Sequence, residues 1–480
     1  MGSTDSKNTH QPAQLTGRLG TMGIVFMVVA AAAPLTVIGG NMPLGIGLGN
    51  GAGAPVGFLI AALILLLFSV GFVTMTPHVR EAGAFFSYVT LGLGKRAGMG
   101  IAVVALVAYT AIQAGIYGYI GWAIDDTVRF YGGPSIPWPL YALFTLAIVA
   151  FLGYRHIDLS AKVLGVALVA EIGIVLVLDF AILINPGPAG ITVESFAPDT
   201  FLDGAIGVAI LFALTGFIGF ESTAVFRNEA RSPERTVPRA TYIAVLIIGG
   251  FYAFTCWAFV VAIGPDTIAE VAQRTLDGEA NMLLDTTNDQ LGHVGRDLVN
   301  VLLLTSLFAC VLSFHNVIAR YQFVLAGMRV LPKPLARVHP KHHSPSVSSL
   351  VQTGTAIILV AIFAIFGVDP LVGVFGSMAG VATVGMTVLM LSTSIAVIVF
   401  FVRNPAARAG RRWRTILIPI FASVGLLAGM GLVLSNFTLV TGGSAQLSAG
   451  LAAVPFAALI VGWFIGRDRL GAAEAPSNVS

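Results

Sequence analysis

Charge is scarce in this chain. Asp, Glu, Lys and Arg together make up 10% of its 480 residues, where soluble globular proteins carry about 25%. Cysteine is scarcer still. Cys256 and Cys310 both sit inside apolar runs; they form no metal-ligand spacing and no disulfide framework, and read as small buried hydrophobes. No Walker motif is present: Gly92-Leu-Gly94-Lys95-Arg96 lacks the Ser or Thr after the lysine and the required spacing. The glycine cluster from Gly45 to Gly53 misses the dinucleotide-binding spacing and lies at a helix end. The eight histidines are scattered, with no HExxH. These absences exclude a soluble enzyme, a P-loop pump, a dinucleotide binder and a zinc hydrolase; no cofactor, no metal and no catalytic residue is expected. The net charge of +3 gives no sign of a nucleic-acid partner.

Apolar residues are abundant instead, at 56% before 55 glycines are added. That composition excludes disordered, coiled-coil and fibrous chains and leaves a polytopic membrane protein surrounded by lipid, since a spanning helix needs about 20 mostly apolar residues. The first stretch, Met1 to Gly20, is polar and lacks the early apolar core of a cleaved signal peptide. Apolar runs bounded by charge, Gly or Pro predict twelve spans over 20–46, 54–75, 97–124, 137–154, 159–185, 204–226, 238–263, 297–326, 346–367, 370–400, 414–436 and 446–466. With both termini in the cytoplasm, 23 of the 26 Lys and Arg fall on the inner side and only Arg129, Arg274 and Arg296 on the outer. The positive-inside rule predicts such an asymmetry. The longest connection, 264–296, is expected outside and part helical.

Three acids lie within the apolar runs: Glu171, Asp179 and Glu221. An acid in hydrocarbon costs several kcal/mol unless paired, protonated or facing water, so these three are where function is sought. Asp179 is closest to an outer boundary, where reaching interfacial water would explain it.

Two spans carry breaks. Pro34, Gly39, Gly40 and Pro43 interrupt the first, and Gly216 and Gly219 precede Glu221 in the sixth. Proline removes a backbone donor and clashes with the preceding turn. Interrupted helices at matching positions of two five-helix halves mark a midplane substrate site in transporters with inverted repeats. Half-helix N-termini offer N–H groups to a carboxylate, and freed carbonyls suit an ammonium, so a zwitterionic amino acid fits the pair. Kinks or close-packing points are the plainer reading of either break alone.

The stretch Phe217-Ile-Gly-Phe-Glu-Ser-Thr-Ala-Val-Phe-Arg-Asn-Glu-Ala-Arg-Ser-Pro-Glu-Arg-Thr-Val-Pro-Arg-Ala240 resembles the sixth-helix signature of the amino acid–polyamine–organocation (APC) superfamily, with Gly219, Phe220, Glu221, Glu229, Ser232, Pro233, Arg235, Pro238, Arg239 and Ala240 as matches. Glu81-Ala-Gly-Ala-Phe-Phe-Ser-Tyr-Val89 resembles the family's start of the third helix, and Asn316 to Arg320 with Leu331-Pro332 its eighth-helix ending. The resemblance spans 18–466 and implies an all-α membrane protein: 12 transmembrane helices, a 5+5 inverted repeat in a core over 20–400 (repeats 20–185 and 204–400), two extra C-terminal helices over 414–466, and cytoplasmic tails 1–19 and 467–480. It implies substrate binding at the two breaks, carried onto Ala32, Ala33, Pro34, Leu35 and Thr36, and onto Phe217, Ile218, Gly219 and Phe220, mostly through backbone groups. Thr36 either adds a hydroxyl or back-bonds within its helix.

In the family a lysine often stands near the middle of the fifth helix in place of a sodium ion; here the aligned residue is Glu171. It is either a proton-carrying coupling residue or a structural acid bonded to a carbonyl. Glu221 matches a gating and pH-sensing group of the family's acid-resistance antiporters, or caps the half-helix after the break. Tyr109, Gln113 and Tyr117 share a face of the third helix by their four-residue spacing, which either shapes the pocket or simply packs; His315 reads as a packed histidine. Thr305, Ser306 and Ser313 keep a sodium site open. The expected function is an amino acid permease of the plasma membrane, importing by alternating access with protons as the coupling ion and sodium left open as the other. An amine or polyamine permease, or an amino acid exchanger or exporter, is the alternative on the same fold; a channel, a sensor or a membrane enzyme fits less well.

Overall fold

A computed structural model describes residues 20–79, 84–155, 161–225, 230–340, 344–408 and 410–474. The expected tail 1–19, residues 475–480 of the other tail, and parts of two motifs (81–83 and 226–229) lie outside the described residues.

The chain folds into helices. The first is α1 (Thr21–Ala31), followed after a break by a run of α and π turns over 34–50, here α2. Then come α3 (Ala54–Met75), α4 (Ala84–Leu93), α5 (Lys95–Phe130), α6 (Trp138–Tyr154) and α7 (Ala161–Ile184). After them run α8 (Ile206–Thr215), the short α9 (Ser222–Val225), α10 (Pro233–Ile263), α11 (Ile268–Leu276) and α12 (Met282–Gly327). The last are α13 (Ser346–Ile365), α14 (Ser377–Arg403), α15 (Ile418–Ser435) and α16 (Ala445–Glu474). Among the described residues nine helical stretches are long and apolar enough to cross a membrane, and Trp138–Tyr154 and Ile206–Thr215 are shorter apolar helices. In lipid every backbone polar group must be satisfied within the segment, which only helices and closed barrels achieve. The protein is an all-helical, multi-pass membrane protein.

Two kinds of helix emerge. One kind is buried on most sides: α5 packs against α14, α16 and α12, and α3 packs against α10 and α8. The other kind is two-faced without being amphipathic. On α7, Val166, Val169, Val177 and Phe180 are exposed, while Leu168, Glu171, Val175, Leu178 and Ile182 are buried. Both faces are apolar because one meets lipid and the other meets protein. The inward set recurs every three or four residues, the spacing of one helix face, and it carries Glu171.

Several boundaries differ from the sequence reading. The third helix extends to Phe130, and the eighth begins at Met282, passing Gly292 in a non-helical conformation (φ 70°). Glycine tolerates that turn without a Cβ penalty, so part of the expected 264–296 connection is helix. Asp179 does not reach an interface: it is fully buried, because the face it shares turns inward to α10.

Candidate substrate site at two helix breaks

The first break falls at Ala32 and Ala33, ahead of the glycines. Pro34 disfavours α geometry in the residue before it, and Ala33 takes a left-handed conformation (φ 46°, ψ 72°). That conformation costs an L-residue roughly 1–2 kcal/mol. Gly39, Gly40 and Pro43, expected to interrupt the span, instead sit in continuous α and π turns. The glycines there serve close approach. A Cβ on Gly40 would fall 2.7 Å from the Tyr119 ring and 2.9 Å from the Phe375 ring.

Each end of the break has a partner. Pro34 opens α2 without an N–H of its own, so Leu35 presents the first N–H, 3.5 Å from Glu171 Oε2. On the other side Ala32 O accepts a hydrogen bond from the Tyr252 hydroxyl at 3.2 Å.

The second break starts where α8 ends at Thr215. Turns carry the chain to Glu221, with Gly219 at φ 109°. Gly219 lies against α1: a Cβ there would be 3.3 Å from Ala31 Cβ. The two breaks are therefore neighbours. Between them is a cavity of about 30 Å³, room for one or two waters.

Of the residues expected to bind substrate, Ala32, Ala33, Thr36 and Ile218 line this cavity. Pro34, Leu35, Phe217, Gly219 and Phe220 do not. Phe217 packs edge-on to Tyr252 and Phe220 edge-on to Phe68, so the sixth-helix phenylalanines belong to the core. The wall from α5 is Ile112 and Ile116, not the face of Tyr109, Gln113 and Tyr117. Gln113 turns away to α12 and α13: its Nε2 donates to Val311 O at 3.3 Å, and its Oε1 accepts from Gln352 at 2.6 Å. The spacing did identify a shared helix face, but it could not say which neighbour that face meets.

The cavity wall holds no charged residue. Its polar groups are few. Thr36 Oγ1 is buried without a hydrogen-bond partner among the described residues. Thr215 and Thr383 share a hydroxyl–hydroxyl hydrogen bond of 2.5 Å, and Asn41 Nδ2 donates to Phe212 O at 3.0 Å. Phe375 and Phe314 close the apolar part. Sequence reasoning missed Asn41, Thr215 and Phe375, which carry no local motif and meet only through the fold.

Glu171 stands just behind the first break. It is 4% exposed, and its Oε2 accepts from Ser306 Oγ on α12 at 3.0 Å as well as facing Leu35 N. It thus joins α7, α2 and α12 at one oxygen. Thr305 and Ser313, the other hydroxyls of the expected sodium alternative, are exposed on the helix exterior. Glu221 stands behind the second break, where its Oε2 accepts from Gly219 N at 2.9 Å and its Oε1 from the Tyr109 hydroxyl at 2.8 Å. Among the described residues no Lys or Arg forms an ion pair with Glu171, Asp179 or Glu221. His315 is packed, hydrogen-bonded to Ser349 at 2.9 Å.

The amino acid permease family model matches residues 19–465. The serine/threonine exchanger SteT of Bacillus subtilis (strain 168) is 22% identical over 312 residues, 64% of this chain and 67% of that protein. The branched-chain amino acid permease BcaP of the same organism is 24% identical over 342 residues, covering 66% of this chain and 71% of that one. The uncharacterized transporter Rv1979c of Mycobacterium tuberculosis (strain ATCC 25618 / H37Rv) is 24% identical over 436 residues, 84% and 85% of the two chains. With that match running almost from end to end over a helical membrane protein, this chain belongs to the amino acid permease family of the APC superfamily and is a transporter, not an enzyme.

Proposed function

We propose that the protein is a proton-coupled amino acid importer of the plasma membrane, working by alternating access. The observation that carries this reading is Glu171: a buried carboxyl, without an ion-pair partner among the described residues, touching the N–H of the first helix break and a hydroxyl of α12. A carboxyl in that place links its proton to the geometry of the break. Losing the proton strengthens its hold on Leu35 N–H and Ser306; gaining it weakens that hold. Substrate at Ala32, Ala33, Thr36 and Ile218 and proton at Glu171 then act on the same break from two sides. Pro34, Leu35, Phe217, Gly219 and Phe220 shape it from behind, and Glu221 holds the second break to α5 as a gate.

The topology we propose has twelve crossings and a 5+5 inverted repeat, with the core over 20–400, two added helices over 414–466 and cytoplasmic tails. Twelve is supported by reading the stretch from Thr21 to His78 as two crossings and adding the two short apolar helices. The basic residues favour cytoplasmic termini. Neutral amino acids suit the uncharged cavity wall; an amine or polyamine substrate has no acid on that wall to meet it.

Purified protein in liposomes tests the reading with the twenty amino acids and several amines. Uptake is measured under an inward proton gradient, a sodium gradient and neither, for wild type and E171Q. Proton-driven uptake of neutral amino acids, lost in E171Q, is expected. Sodium-driven uptake, or transport of amines alone, would overturn it. The similarity to a serine/threonine exchanger makes gradient-independent exchange the second reading, and wild-type counterflow without any net driven uptake would favour it.

A further inference from the structure

We propose that the transporter selects small neutral amino acids (glycine, alanine and serine) and that Ile112, Ile116 and Phe375 set the size limit. The proposal deepens the reading of the protein as an amino acid transporter and rests on it; it is independent of the coupling ion.

The cavity between the two breaks has a polar side and an apolar side. Thr36, Asn41 and Thr215 all belong to the two broken spans. Buried threonines elsewhere in these helices give their hydroxyl to the carbonyl four residues back, as Thr76, Thr241, Thr387 and Thr393 do. For Thr36 that carbonyl is Ala32 O, at the break, where it accepts from the Tyr252 hydroxyl instead. Thr36 Oγ1 is left without a partner among the described residues. The charged ends of a zwitterion need hydrogen bonds once they leave water, and the broken spans are where this cavity offers them. The substrate's side chain is left to the rest of the wall: Ile112 and Ile116 of α5, Cys310 and Phe314 of α12, and Phe375 in the π turns 370–376 that lead into α14.

That wall is close and stiff. A cavity of about 30 Å³ has no spare room for a long side chain, so every carbon beyond glycine's must displace something. Ile112, Ile116 and Phe375 are all buried. The Phe375 ring lies 5.1 Å from the Tyr119 ring, and the space beside it is too tight for a Cβ on Gly40. Its backbone is seated on α5 next to Ile116: a Cβ on Gly115 would fall 3.3 Å from Phe375 O, and one on Gly118 2.7 Å from Pro370 O. Small residues let helices in a membrane approach that closely, and interiors packed to this degree deform little. Phe314, by contrast, is half-buried. Room for a methyl or hydroxymethyl group comes from that ring, whereas a branched or aromatic side chain meets the fixed wall.

The test measures counterflow KM for radiolabelled glycine, L-alanine, L-serine, L-leucine and L-phenylalanine, with full-length protein in liposomes, in wild type, I116A, F375L and I120A. One methylene too many in an apolar pocket is worth roughly 10- to 200-fold in selectivity. For wild type we therefore expect a KM for leucine at least about tenfold above that for alanine. I116A and F375L widen the wall and should lower the leucine-to-alanine ratio at least about fivefold. Ile120, one turn further along α5, is buried but outside the wall, so I120A should leave the ratio within about twofold of wild type. The ratio is the readout because a general loss of structure weakens both substrates together. Leucine or phenylalanine carried by wild type as well as alanine overturns the proposal, and so does a ratio that neither I116A nor F375L moves. Should the larger truncations fail to give monodisperse protein, I116V, one methylene smaller, is read in the same way. Failure of the underlying reading looks different: exchange of amines with no amino acid of any size removes amino acid transport itself, and the size limit with it.

Discussion

Replacing Gly219 by alanine probes the second break at the backbone. Gly219 sits at φ 109°, a region that L-residues rarely adopt and that costs on the order of 1–3 kcal/mol for any of them. The added Cβ meets Ala31 Cβ at 3.3 Å, tight but relieved by a shift of a few tenths of an ångström. Backbone strain is therefore the larger effect. If the described geometry is the one that binds substrate, 1–3 kcal/mol against it lowers the binding-competent fraction, and raises the apparent KM, by roughly 5- to 140-fold. G219A also disturbs the N–H that Glu221 accepts at 2.9 Å, in the same direction. The assay is KM for counterflow in liposomes, beside a thermal melt of the purified protein. The double variant G219A/A31G separates the causes, since it removes the crowding and leaves the φ angle. We expect it to recover less than about threefold of the lost affinity, equivalent to about 0.6 kcal/mol. Full rescue by A31G would refute backbone strain as the cause, and an unchanged KM in G219A would refute the break as part of the binding geometry.

Three further outcomes are expected. G40A forces the Tyr119 and Phe375 rings apart from contacts of 2.7 and 2.9 Å, an overpacking of about 1–3 kcal/mol; because Phe375 lines the cavity, KM rises, whereas V177A on the lipid-facing side of α7 leaves it unchanged. Y109F removes the hydroxyl that bonds Glu221 at 2.8 Å, and loss of such a bond to an acid, about 1.5–3 kcal/mol, is read as slowed exchange with substrate affinity kept. Q352L leaves its partners Gln113 and Gln322 each short of a buried bond, and a thermal melt should report destabilisation of about 1–3 kcal/mol per orphaned group with little change in proton coupling.

That the chain is helical and crosses the membrane many times was legible because hydrocarbon imposes a length and a composition on each segment, and both are written locally. The position of the breaks was legible for the same local reason, Pro34 and the glycines before Glu221, although the first break falls at Ala33, just before Pro34 and six residues ahead of Gly39. Contacts between distant helices were not. Nothing near Leu35 in sequence points to Glu171, 136 residues away, and Tyr109 was recognisable as a pocket candidate but not as the partner of Glu221. Gly39 and Gly40 read as helix breakers, yet their helix continues; what they provide is room for two aromatic rings from other helices. Asp179 read as a residue near the membrane boundary, because distance along a helix says nothing about which side of it faces lipid.

The most direct test of the coupling reading is the number of protons that enter with each amino acid, measured with an internal pH dye and radiolabelled L-serine in the same liposomes. For wild type we expect internal acidification in proportion to uptake. For E171Q we expect exchange to continue with no accompanying proton flux. An equal proton-to-substrate ratio in both proteins would contradict a coupling role for Glu171.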